Sequence, residues 1–170
     1  GAFYQPQRVV CDLSVLKTLP DREISAGLAE IIKYGPIADM PFFEWIDAHI
    51  DALRACEPKA MAHAVRKSCE IKAYVVGQDE REAGLRAILN FGHTFGHALE
   101  HFYHYKGVLH GEGVLWGIYC AVELSIEGGL VTKEVGKRLR RSLDQLSLPQ
   151  LEDTPDIHAL YEAMFSDKKT

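Results

Sequence analysis

The chain has 170 residues, 47% hydrophobic and 25% charged, with a formal net charge of -5. That is enough apolar surface for one domain with its own core, and the acidic balance gives no electrostatic footing for nucleic acid. No apolar run reaches membrane-spanning length and no signal-peptide pattern opens the chain. The four scattered cysteines, without a Cys-x-x-Cys, read as reduced thiols of a cytoplasmic protein.

Gly1-Ala2-Phe3-Tyr4-Gln5-Pro6 carries neither an initiator Met nor a helix start, and the chain stops abruptly after Ser166-Asp167-Lys168-Lys169-Thr170. Both ends read as cuts in something longer. The β-branched run at 8–13 predicts one short strand, and Leu16-Lys17-Thr18-Leu19-Pro20 a turn. A helix is expected from Asp21, with Ile24, Leu28, Ile31 and Ile32 on its apolar face, ended by Gly35 and Pro36. Glu30 and Lys33 sit three apart on it, where a surface ion pair is one reading. The apolar, small-residue run from Ala26 to Gly35 argues instead for a partly buried carboxylate in need of a partner.

Pro41 opens the next helix, with Phe42, Trp45, Ile46, Ile50 and Leu53 as its buried stripe. Pro58 opens a third, running to about Val76, with Ala62, Val65, Cys69, Ala73 and Val76 inward. Lys72 lies near its end, readable as a solvated lysine or as a site cation.

After a polar connection comes the most informative stretch, Asn90-Phe91-Gly92-His93-Thr94-Phe95-Gly96-His97-Ala98-Leu99-Glu100. On one continuous helix Arg86, Asn90, His93 and His97 share a stripe, with Glu82 one step upstream. Such a stripe is a poor core face, because each head group needs a partner when buried. It would suit an anionic ligand and a metal; a solvated polar face is the alternative. Gly92 and Gly96 each cost about 1 kcal/mol of helix propensity relative to Ala, which makes sense if a backbone or ligand must come close.

His101 and His104 are expected to be exposed. A turn at 106–109 leads to His110-Gly111-Glu112-Gly113, which opens an apolar helix. The short return places His110 beside His93 and His97. Gly128-Gly129 reads as a C-cap, and 131–146 as an amphipathic helix with a basic, solvent-facing side. Thr154 and Pro155 open a last helix ending at Phe165. The fold expected is mainly α, a multi-helical bundle with one short N-terminal strand.

Glu30 on one helix, His93 on a second and His110 at the start of a third fit a three-ligand metal set. Two His and one Glu with an open position is a known catalytic zinc arrangement. No His-Glu-x-x-His is present. His97 is then left for proton transfer near neutral pH. Arg86 offers a fork for carboxylate or phosphate, and Lys33 and Lys72 add positive charge.

Taken in order, Gly-Leu-Ala-Glu-x-Ile-Lys-Tyr-Gly, Asn-Phe-Gly-His-Thr-Phe-Gly-His-Ala-Leu-Glu and His-Gly-Glu, together with 1–6 and 16–20, resemble the C-terminal part of the 3-dehydroquinate synthase family. The likeness runs from Gly1 to Lys169. It implies the helical half of a two-domain cytoplasmic enzyme that is a homodimer when whole. The family converts 3-deoxy-D-arabino-heptulosonate 7-phosphate, a sugar-acid phosphate, to 3-dehydroquinate and phosphate. It uses NAD, recycled rather than consumed, and a divalent metal, zinc or cobalt.

By this resemblance Glu30, His93 and His110 are the metal ligands and His97 the proton relay. Arg86, Lys72 and Asn90 hold the substrate carboxylate and hydroxyls. Lys33 and Glu82 are further active-site groups, and one of Lys168 and Lys169 reaches the substrate. Val15, Leu16, Lys17, Thr18 and Leu19 form a segment that touches NAD.

The family's Rossmann-like domain, with its Gly-rich loop, is absent from residues 1–170. The chain alone is therefore expected to bind metal without turnover. Other sugar phosphate cyclases and iron-type alcohol dehydrogenases are the nearest rivals. A non-catalytic metal-binding module and a metal-free helical interaction domain are rivals of another class.

Overall fold

The computed structural model describes residues 7–80, 84–147, 151 and 154–166, and among these the regular structure is helical throughout. The strand expected at 8–13 does not form. Residues 8–12 are exposed and have no neighbouring strand among the described residues to complete a ladder. The Asp12 carboxylate instead accepts the Ser14 N–H at 2.9 Å and caps a 3₁₀ turn, Leu13–Thr18, which overlaps the turn expected at 16–20.

The first long helix, α1 (Asp21–Ala38), starts behind Pro20 with Asp21 and Glu23 in its first turn, where acidic groups suit the helix dipole. It does not stop at Gly35-Pro36. Pro36 deletes one donor, but the ladder resumes with Asp39 N–H to the Gly35 carbonyl at 2.9 Å. Gly35 serves packing rather than termination, because a Cβ there would overlap Phe43.

Asp39 caps α2 (Met40–Ala48) through a 2.9 Å bond from Phe42 N–H. The helix expected to run on through Leu53 breaks at His49. There the ring Nδ1 lies 2.8 Å from the Trp45 carbonyl, and the backbone N–H turns to Ile46 instead. A short α3 (Ile50–Arg54) follows. Phe42, Ile46, Ile50 and Leu53 are buried as expected, whereas Trp45 is half-buried and stacks on His49.

The next helix, α4 (Pro58–Gln78), buries Met61, Ala64, Ser68, Ile71 and Val75 rather than the expected face through Ala62 and Cys69. Turning Met61 and Ile71 inward removes more apolar area from water than burying the alanines beside them.

A second 3₁₀ turn, Leu85–Asn90, leads to α5 (His93–Phe102) and α6 (His110–Glu127). Gly128 ends α6, and Gly129 takes a φ of 68°. Thr132 caps α7 (Lys133–Leu143), which buries Leu139 and Leu143. Its basic side is only partly given to solvent: Arg138 pairs with Glu44 at 3.2 Å and lies over the Phe43 ring, and Arg140 pairs with Glu123. The last helix, α8 (Ile157–Ser166), begins after Thr154 and Pro155. Asp156 serves its start, accepting His158 N–H on Oδ1 and Leu160 N–H on its carbonyl.

The core lies around α1, which packs on α6, α2 and α4, while α5 is held between α6 and α8. Leu28, Ile32, Phe43, Ile46, Leu115 and Ile118 are almost fully buried there. No helix among the described residues is long and apolar enough to cross a membrane.

Candidate active site

The Arg86 to His97 stretch is not the single helix its spacing suggests. It is the 3₁₀ turn Leu85–Asn90, then a break at Phe91 and Gly92, then α5. Gly92 has a φ of 79°, in the left-handed region that glycine enters without strain. The break is enforced from α6: a Cβ on Gly117 would overlap the Gly92 carbonyl. The polar residues still converge. Arg86, Asn90 and His93 line a cavity of about 270 Å³ with Glu30 and Lys33 of α1, Lys72 of α4 and His110 of α6.

Two close crossings bring α1, α5 and α6 to this point. Gly111 sits so near Ala26, one turn before Glu30 on α1, that any Cβ would overlap the Ala26 carbonyl. Gly96 meets Gly113 backbone to backbone, where a Cβ would lie 2.9 Å from the Gly113 carbonyl. The glycines therefore answer to backbone approach, one of the two reasons their cost suggested.

Glu30 Oε2 takes a 2.6 Å ion pair from the Nζ of Lys33, a lysine only 3% exposed that also donates to the Leu89 carbonyl at 2.9 Å. The other oxygen, Oε1, is buried and accepts no hydrogen bond from the described residues. Nε2 of His93 lies 3.5 Å from it and Nε2 of His110 3.6 Å. Ligand atoms about 2.1 Å from a tetrahedral zinc are about 3.4 Å apart, so these spacings fit a divalent ion. Burial, then the Lys33 charge, pushes His93 down from its ordinary 6.5 to about 4, against the opposing pull of Glu30. Its imidazole is therefore neutral at pH 7, the form that ligates metal.

His97 lies alongside, its ring centre 5.4 Å from that of His93 and 5.8 Å from that of His110. Ligating atoms of the three histidines lie within 4.8 Å of one another, so the geometry offers a second, looser donor set.

The approach to Arg86 is pinned by Asp79, whose Oδ2 accepts Gly84 N–H at 2.8 Å and Arg86 N–H at 3.0 Å. Lys72 is exposed at the cavity edge. Val15, Lys17, Thr18 and Leu19 are exposed on or just after the first 3₁₀ turn, which rests on α4 outside the cavity lining, while Leu16 packs toward the core. Glu82, Lys168, Lys169 and the segment 1–6 lie outside the described residues.

Sequence reasoning passed over Asp79, Glu100, Arg22 and Glu112. The Asp79 bonds reach five and seven residues on, to Gly84 and Arg86, beyond any local turn pattern. Glu112, third from its helix start, is half of a capping box that Leu109 cannot complete.

Among the described residues, a helical domain sets a carboxylate and three imidazoles beside a cavity that Lys33, Lys72 and Arg86 also line, a donor set suited to a metal ion. Residues 27–170 match the 3-dehydroquinate synthase C-terminal family, and the chain belongs to it. Among solved structures it is similar to ValA, a 2-epi-5-epi-valiolone synthase from Streptomyces hygroscopicus subsp. jinggangensis 5008 with NAD+ and Zn2+ bound. The identity is 26% and the TM-score 0.82, over 91% of this chain and 43% of that one. The chain thus spans less than half the length of that relative.

Proposed function

We propose that this chain is the metal- and substrate-binding half of a 3-dehydroquinate synthase, acting on 3-deoxy-D-arabino-heptulosonate 7-phosphate with NAD bound largely by another domain. The observation that carries the reading is the unsatisfied Glu30 Oε1 facing Nε2 of both His93 and His110. That oxygen favours Glu30, His93 and His110 as the ligands over the three-histidine set.

Zinc or cobalt held there supplies Lewis acidity toward the substrate hydroxyls, and NAD a recycled hydride acceptor. Lys33 occupies Glu30 Oε2 and so reserves Oε1 for the cation. A ring nitrogen of His97 takes the proton of the hydroxyl being oxidised. The Arg86 guanidinium forks onto the substrate carboxylate. Asn90 and Lys72 hold the neighbouring hydroxyls, and the cavity walls orient the ring-forming chain.

A second reading, another sugar phosphate cyclase, is favoured by the likeness to a 2-epi-5-epi-valiolone synthase. Phosphate release by the intact enzyme carrying this domain separates the two. The heptulosonate should turn over, and Arg86→Ala should lower kcat/KM by about 10- to 100-fold. Equal turnover of a heptulose phosphate lacking the carboxylate, with no dependence on Arg86, supports the second reading. Residues 1–170 alone should release no phosphate; clear turnover by them would contradict the division of labour.

A further inference from the structure

We propose that Glu100 is a positioning residue that fixes the tautomer of His110, so that Nε2 faces Glu30 as a lone pair. The inference rests on the metal reading above, but its decisive readout does not need a metal.

His110 is the first residue of α6, and its side chain is half exposed, so nothing in the helix itself holds the ring. Its Nδ1 lies 3.1 Å from Glu100 Oε2. Glu100, on α5, is only 8% exposed. An ionised carboxylate only accepts, so Nδ1 carries the hydrogen, and in the neutral ring Nε2 is left as an acceptor. His93 is arranged in the same sense by a different partner: its Nδ1 faces the Phe91 carbonyl at 3.3 Å. Both Nε2 atoms then direct lone pairs at Glu30 Oε1, itself an acceptor. Three acceptors converging at this spacing are reconciled by a cation. A carboxylate behind a ligating imidazole both orients it and raises its basicity.

The reach of Glu100 depends on the glycine crossing. A Cβ on Gly113 would stand 3.4 Å from Glu100 Cγ and 3.1 Å from the Gly96 carbonyl. With Gly96 bare, and Gly113 leaving Glu100 close room, α5 approaches α6 near enough for this carboxylate to meet the first residue of the neighbouring helix.

The test is the ¹⁵N spectrum of His110 in the metal-free full chain at neutral pH. The wild type should show a protonated Nδ1 and an unprotonated Nε2. Glu100→Ala should shift the ring toward the Nε2–H form, and Glu100→Gln, whose amide oxygen still accepts, should retain the wild-type pattern. Cobalt titration should give about 10- to 100-fold weaker binding for Glu100→Ala, largely recovered in Glu100→Gln. A wild-type His110 already protonated on Nε2, or a tautomer indifferent to Glu100, overturns the proposal. If the tautomer follows Glu100 but cobalt does not bind, the positioning stands and the metal reading falls. If cobalt binds while the tautomer is indifferent, the reverse holds.

Discussion

Arg22 grips the buried carboxylate of Glu112 with two bonds, Nε to Oε1 at 2.5 Å and Nη2 to Oε2 at 2.7 Å. The same Nη2 donates to the Gly107 carbonyl, and Glu112 Oε2 also accepts Leu109 N–H at 2.7 Å. The start of α1, the 106–109 turn and the start of α6 are thereby tied together two residues from His110. Glu112 is 1% exposed, so removing its cation leaves a buried acceptor under-satisfied. Arg22→Ala should cost about 1–3 kcal/mol in urea unfolding. Arg22→Lys should recover little of it, because an ammonium cannot supply the two-pronged geometry.

Two helical glycines should respond in opposite directions. Gly27 has nothing within 4 Å of a prospective Cβ, and Gly27→Ala should stabilise α1 by about 0.5–1 kcal/mol. At Gly96 the same change sets a Cβ 2.9 Å from the Gly113 carbonyl group, against backbone that cannot rotate away. Gly96→Ala should destabilise by about 1–3 kcal/mol despite its better helix propensity. Thermal melts of the two variants, compared with wild type, decide both signs.

Asp39 gives the acid limb of stability a specific source. The Lys67 ammonium, 2.9 Å away, and then the Phe42 N–H hold its carboxyl below the ordinary value. A depressed native value means stability that is present above the unfolded value of about 3.9 and lost as pH falls through the native one. Asp39→Asn keeps an N-cap oxygen but removes this titration. Unfolding free energy against pH should therefore fall less steeply below about pH 4 in the variant.

The helical fold was legible because prolines, caps and apolar spacing mark most helix starts. The convergence of Glu30, His93 and His110 was legible because a polar stripe and a short return must face something. What the sequence hid is tertiary. The left-handed break at Gly92 follows from Gly117 on another helix. The break at His49 is a local exception, its ring bonding the Trp45 carbonyl while its N–H turns to Ile46. The inward face of α4 was misread because small residues gave no periodic contrast with Met61 and Ile71. Glu100 and Glu112 stand inside the quoted motifs, but their partners His110 and Arg22 are set by how the helices pack.

The most direct measurement is the zinc content per chain after dialysis, for the wild type and for Glu30→Ala, His93→Ala, His110→Ala and His97→Gln. The account predicts one tightly held ion in the wild type and in His97→Gln, and its loss from the other three. A chain that holds zinc without Glu30 but not without His97, or that holds none at all, would contradict it.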